Sequence, residues 1–168
     1  MLTPFLDGLG SASVARAVVS AAGEPGRALV ASDTHIARAL GQRGFQVLLV
    51  TGSRRVKARP EFQLVRAGGE PPAAPGSLDV LVLAGRGPEL RGAADDAAHA
   101  ASLVQSWTVP LRPGGRLVLV DRLDAGLLGS RPTVAREDLC AALLAARLYD
   151  LAQAAPRGST VVTYARLG

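Results

Sequence analysis

The sequence predicts an α/β fold: a mostly parallel sheet covered by helices on both faces and closed by an antiparallel hairpin. Three observations carry this. The runs RALVAS, FQVLLVTG, LDVLVLAG and RLVLVDR are apolar throughout, as strands buried on both faces must be. They alternate with segments whose apolar residues recur at helical spacing. The final runs, DLAQAA and TVVTYARL, are separated only by PRGS, a connection that joins only antiparallel neighbours.

Residues 10–22 predict a helix capped by Ser11 or Ser13, with Val14, Val18 and Val19 on one face and Gly23 as its stop. RALVAS is the first strand. THIARALGQRG follows as a helix, with Ile36 and Leu40 four apart and Gly41 or Gly44 near its end. FQVLLVTG is the second strand, RRVKARP a basic loop ended by Pro60, and EFQLVRAG the third strand. GEPPAAPGS is a turn-rich connector, and LDVLVLAG is the fourth strand. A helix from Ala93 to Trp107 ends before Pro110, RPGG makes a tight turn, and RLVLVDR is the fifth strand. REDLCAALLAARLY is the last helix, with Leu139, Leu143 and Leu144 on one side, and the hairpin closes the chain.

Composition narrows the possibilities. A chain of 168 residues fits one domain, spanning 1–168 with residues 1–25 as a helical lead-in. Apolar residues at 48% exclude wholesale disorder, and aromatics at 4% leave the core to Ala, Leu and Val. Positive charge comes from arginine almost alone, with Lys57 the single lysine, so the net charge of +5 reads as coding bias and not as a nucleic-acid footprint. Lone Cys140 sits among leucines at helical spacing, which excludes an internal disulfide and suits a buried thiol. No apolar run approaches the ~20 residues of a membrane span, and the N-terminus lacks a basic start before an apolar block. A cytoplasmic location is the expectation.

Chemistry-bearing residues are sparse. There is no GxSxG, no Cys/His pairing and no P-loop lysine. Asp33 or Ser32 reads first as a helix cap and second as a ligand group. His35 and His99 read as exposed helix residues, and Asp95, Asp96 and His99 lack a further metal ligand. Asp121 ends the fifth strand, where parallel sheets open their ligand crevice, and serves either a ligand or a buried ion pair. Arg54, Arg55, Lys57 and Arg59 form a basic loop, suited to phosphate or an acidic partner or simply to solvent. Gly85 opens GRGPELRG, which superficially resembles a phosphate loop, but Pro88 removes a donor.

VPLRPGGRLVLVD, residues 109–121, resembles the turn and fifth strand of class I S-adenosylmethionine-dependent methyltransferases. The Leu78-Asp79 pair resembles the opening of that family's fourth strand, and residues 139–167 resemble its last helix and closing hairpin. The resemblance spans residues 10–168 and implies a Rossmann-like three-layer sandwich with about seven strands. It also implies a cofactor site, and there this chain departs from the pattern. The family's first strand leads into a glycine-rich turn; here stand Ala31, Ser32, Asp33 and Thr34. Leu29 and Val30 occupy the strand region where the family has an acidic residue. The family's second strand ends in Asp or Glu, which grips both ribose hydroxyls; here that place reads Thr51-Gly52.

The expectation is a methyltransferase-like protein without competent cofactor binding, acting as a binding or scaffold protein and therefore holding no cofactor. The degenerate cofactor positions are Ser32, Asp33, Thr34, Thr51, Gly85 and Asp121. The alternative is an active methyltransferase with an unusual cofactor loop, using S-adenosylmethionine. A weaker third reading is a nicotinamide-dependent reductase, opposed by the missing glycines. A protein partner or a second copy is expected, through the apolar Leu127 and Leu128 or the basic Arg54 and Arg55.

Overall fold

The structure is a computed structural model and describes residues 3–66, 73–85, 96–122, 136–157 and 160–168. Its elements in chain order are α1 (Thr3–Ala22), β1 (Arg27–Ala31), α2 (Thr34–Gln42), β2 (Gln46–Thr51), β3 (Gln63–Arg66), β4 (Leu78–Ala84), α3 (Ala97–Thr108), β5 (Leu111–Arg122), α4 (Arg136–Ala145), β6 (Leu148–Arg157) and β7 (Thr160–Leu167). Seven strands form one sheet in the order β3-β2-β1-β4-β5-β7-β6. β1 to β5 run parallel to one another, and β7 lies antiparallel between β5 and β6. This is the expected mixed sheet with its terminal hairpin.

In β4 and β5 leucine alternates with valine, and each residue type takes one face. Leu81, Leu83, Leu117 and Leu119 join Leu139, Leu143 and Val104 of α4 and α3 in one core. Val80, Val82, Val118 and Val30 join Val18 of α1 and Ile36 and Leu40 of α2 in the other. A strand covered on both faces thus looks continuously apolar in sequence while still obeying the period of two.

Several boundaries differ from expectation. α1 begins at Thr3, so Ser11 and Ser13 lie within it and not at its start; its end at Gly23, where φ is 79°, is as expected. RPGG is not a turn ahead of the fifth strand but an irregularity within β5. Leu111 pairs with Leu78, and pairing resumes at Val80 with Arg116, so the extra residues bulge out. Gly114, at φ 74°, supplies the left-handed residue this bulge needs. The last helix stops at Ala145, four residues before Tyr149, because Arg147 turns left-handed at φ 65° and Leu148 enters β6. Leu139 and Leu143 share the buried face, whereas Leu144 points outward, 60% exposed.

The crossover from β2 to β3 contains no helix. Residues 52–62 run back along α2 instead, and Phe62 is buried against Ile36 and Leu40. Gly41 makes that approach possible. A Cβ there would stand 2.0 Å from the Glu61 carbonyl oxygen. Arg38 then ties the same turn down through Glu61, Nε to Oε1 3.3 Å.

Candidate functional site

Open parallel sheets bind ligands beyond the C-terminal ends of their strands, where the strand order reverses. Here the reversal lies between β1 and β4. Both strands leave the sheet there in the left-handed conformation, Ser32 at φ 66° and Gly85 at φ 70°. Each is pinned to the strand beside its own: the Ser32 N–H donates to the Val50 carbonyl at 2.8 Å, and the Gly85 N–H to the Val120 carbonyl at 2.9 Å. The backbone therefore keeps the shape of a glycine turn at Ser32, with a side chain where hydrogen is the sterically easy choice.

The polar groups around this turn are engaged locally. Asp33 is the N-cap of α2: its Oδ1 accepts from the His35 and Ile36 amides, both at 2.9 Å. This is the capping role read first from sequence, and Thr34 opens the helix. Thr51, 4% exposed, accepts through Oγ1 from the Ser53 N–H at 3.1 Å. Gly52 is exposed and has open space at its Cβ position. Asp121 is half-buried and lies opposite Val161 of β7. Arg54 and Arg55 are exposed on the loop after β2. That loop is braced from below by Arg66, a residue the sequence reading passed over. Its guanidinium donates to the Ser53 carbonyl through Nη1 and to the Val56 carbonyl through Nη2, the latter at 3.0 Å. Thus Ser32, Asp33, Thr51 and Gly85 do gather at one end of the sheet. Leu127 and Leu128, with the remainder of GRGPELRG, lie outside the described residues.

The two histidines lie on helix surfaces. His35 lies on the outer surface of α2, in the groove facing α1. His99 is exposed on α3, whose N-cap is Asp96, with Oδ1 accepting from the Ala98 and His99 amides at 2.9 and 3.2 Å. Among the described residues no group of three His, Cys, Asp or Glu is arranged to hold a metal.

Asp79 works at the opposite end of the sheet. Its Oδ2 accepts from the Arg27 N–H at 2.7 Å, and its Oδ1 faces Arg112 Nε at 2.5 Å. These contacts, led by the Arg27 backbone hydrogen bond, hold its carboxyl below the ordinary carboxylate value despite partial burial. The aspartate joins the start of β1 to the β5 bulge. Gly26 leaves room for it, since a Cβ there would meet Asp79 Oδ2 at 2.5 Å. Beside it Arg116 donates to the Ala21 carbonyl at 2.8 Å across Gly23, closing the C-terminal end of α1.

No protein-family model matches the chain, and no curated protein does. Solved structures match it in fold. Human N-acetylserotonin methyltransferase in complex with SAM shares 15% identity at a TM-score of 0.66, over 94% of this chain and 51% of that one. The chain thus spans about half the length of the human enzyme. Burkholderia thailandensis 1,6-didemethyltoxoflavin-N1-methyltransferase, with its substrate and S-adenosylhomocysteine bound, shares 14% at a TM-score of 0.67, over 98% of this chain and 81% of that one. The glycopeptide N-methyltransferase MtfA shares 15% at 0.65, over 99% of this chain and 100% of that one. With its seven-strand order reversing at β1 and β4 and these matches in structure, the chain has the Rossmann-like fold of the class I S-adenosylmethionine-dependent methyltransferases.

Proposed function

We propose that this chain is a methyltransferase-fold protein without competent S-adenosylmethionine binding, acting as a non-catalytic binding or scaffold protein. One observation supports this reading above the rest. The polar side chains at the tips of β1 and β2 already serve the chain itself: Asp33 caps α2, and Thr51 binds the Ser53 amide. No carboxylate follows β2 before Glu61, which sits beside Arg38 of α2. These residues do not fit an adenosyl cofactor, whose ribose diol needs an anionic acceptor there. Hydrogen bonds to a charged group contribute roughly 1.5–3 kcal/mol each. Two missing bonds weaken binding by about 3–6 kcal/mol gross, or about two to four orders of magnitude.

Native mass spectrometry of the freshly purified chain tests the reading. The expected spectrum shows the bare chain or its complex with another macromolecule. A species heavier by the mass of S-adenosylmethionine or S-adenosylhomocysteine overturns it.

A specific observation favours a second reading, an active methyltransferase with an unusual loop. Ser32 holds the left-handed turn that lets a backbone approach a ligand, and the solved neighbours include proteins with SAM or S-adenosylhomocysteine bound. Methyl transfer asks little of a protein beyond alignment and sometimes a base, so a sparse site does not forbid it. Transfer of a labelled methyl group to any acceptor by the purified chain decides for this second reading.

A further inference from the structure

We propose that the groove between α1 and α2 is a docking surface for an acidic amphipathic helix of a partner protein. The groove has a volume of about 530 Å³ and runs between the two helices, with His35 of the first turn of α2 in its lining. Its two walls are helical stripes, residues 12, 15, 16 and 19 on α1 and 35, 38, 39 and 42 on α2. Each stripe extends about two helical turns, or ~10 Å, the contact length of a short docked helix.

Floor and rim differ in chemistry. Ala15, Val19 and Ala39 form an apolar floor of small side chains, buried or half-buried. Arg16, Arg38 and Arg43 stand exposed around it, and among the described residues no carboxylate lines the groove. Of the three, Arg38 is ion-paired with Glu61 at 3.3 Å, and Arg16 donates to the carbonyl of Ala12 on its own helix at 3.5 Å, so Arg16 and Arg43 carry the charge argument. An apolar strip edged by cations complements a helix with small apolar residues on one face and Glu or Asp along its flanks. A second copy fits poorly, because each chain carries a net charge of +5. A small anion leaves the apolar floor uncovered. The inference deepens the binding half of the proposed function and does not depend on the loss of cofactor binding, which the mass spectrum tests separately.

The test uses a fluorescein-labelled 18-residue helical peptide with alanine and leucine on one face and glutamate along both flanks. A matched peptide carrying lysine in place of glutamate is the control. Fluorescence anisotropy with the full chain should show binding of the acidic peptide alone, weakening between about 50 and about 500 mM salt as screening shortens. The double variant Arg16→Glu/Arg43→Glu should weaken it about tenfold, since exposed pairs contribute little singly but here turn from attraction to repulsion. Arg54→Glu/Arg55→Glu, on the basic loop after β2 and outside the groove lining, should leave it unchanged. Amide shifts on titration should concentrate in residues 12–19 and 35–43. Equal binding of both peptides, an unchanged affinity in the Arg16/Arg43 variant, shifts centred on residues 53–59, or sedimentation showing self-association lost on Arg16/Arg43 reversal would each overturn the proposal.

Discussion

Ser32 shows how a sequence and its backbone can disagree. At φ 66° it keeps a conformation that costs an L-residue roughly 1–2 kcal/mol, against which the extra unfolded-state freedom of glycine weighs roughly 0.4–1 kcal/mol. Ser32→Gly should therefore stabilise the chain by about 0.5–1 kcal/mol, read as a higher urea midpoint with an unchanged slope. Destabilisation would mean that the hydroxyl makes a contact outweighing the strain. Asp79 makes a pH-dependent contribution. Its folded pKa lies below the ordinary value, so its stabilisation is complete above the unfolded-state pKa and is lost as pH falls through the lowered folded one. Asp79→Asn should flatten that acidic limb while reducing stability at neutral pH. A variant whose acid unfolding curve runs parallel to the parent's would contradict this.

Asp33 was legible from sequence as a cap because a short acidic side chain before an apolar helical stripe has one obvious local partner set. Arg66 and Arg116 were not. Each grips a backbone carbonyl at least ten residues away in sequence, and no local pattern announces such a contact.

At the scale of elements, the strands read well because leucine and valine alternate through them, and the helices read well where their apolar stripes are regular. The misreadings fall where tertiary pairing overrides local signals. RPGG carries every mark of a turn, yet Leu111 pairs with Leu78 before it and Arg116 with Val80 after it, so the sheet absorbs the glycines as a bulge. Leu148 and Tyr149 continue a helical stripe but pair with Leu167 and Arg166 of β7. The helix-free crossover after β2 also has a consequence at Gly41. Near the end of α2, Gly→Ala would ordinarily gain up to ~1 kcal/mol in helix propensity. Here the new methyl meets the Glu61 carbonyl at 2.0 Å, so Gly41→Ala should destabilise by about 1–3 kcal/mol. Thermal unfolding of the variant measures this, and an unchanged or higher midpoint would show that the loop yields freely.

The sheet order joins the ends of the molecule into one account. At the N-terminal ends of the strands, Asp79, Arg112, Arg116 and the glycines beside them form a close-fitted cluster. At the C-terminal ends the strand order reverses between β1 and β4, and beside that point Asp33 caps α2 and Thr51 accepts from the Ser53 amide. Fold was therefore readable from the whole pattern, because many residues vote for it. The site is less legible, because few residues define it, and the proposed loss of cofactor binding rests on those few positions. Gly52, exposed and with open space at its Cβ, offers a way to reverse one of them. Gly52→Asp in the Ser32→Gly background should raise affinity for S-adenosylhomocysteine at least about tenfold, the gain of one charge-assisted hydrogen bond. No gain would place the barrier elsewhere than the missing carboxylate.

The central claim is that the unaltered crevice does not hold an adenosyl cofactor at cellular strength. Calorimetric titration of the purified chain with S-adenosylmethionine tests it most directly. The account predicts no saturable heat, or a Kd well above about 50 μM. Saturable one-to-one binding tighter than that would contradict it.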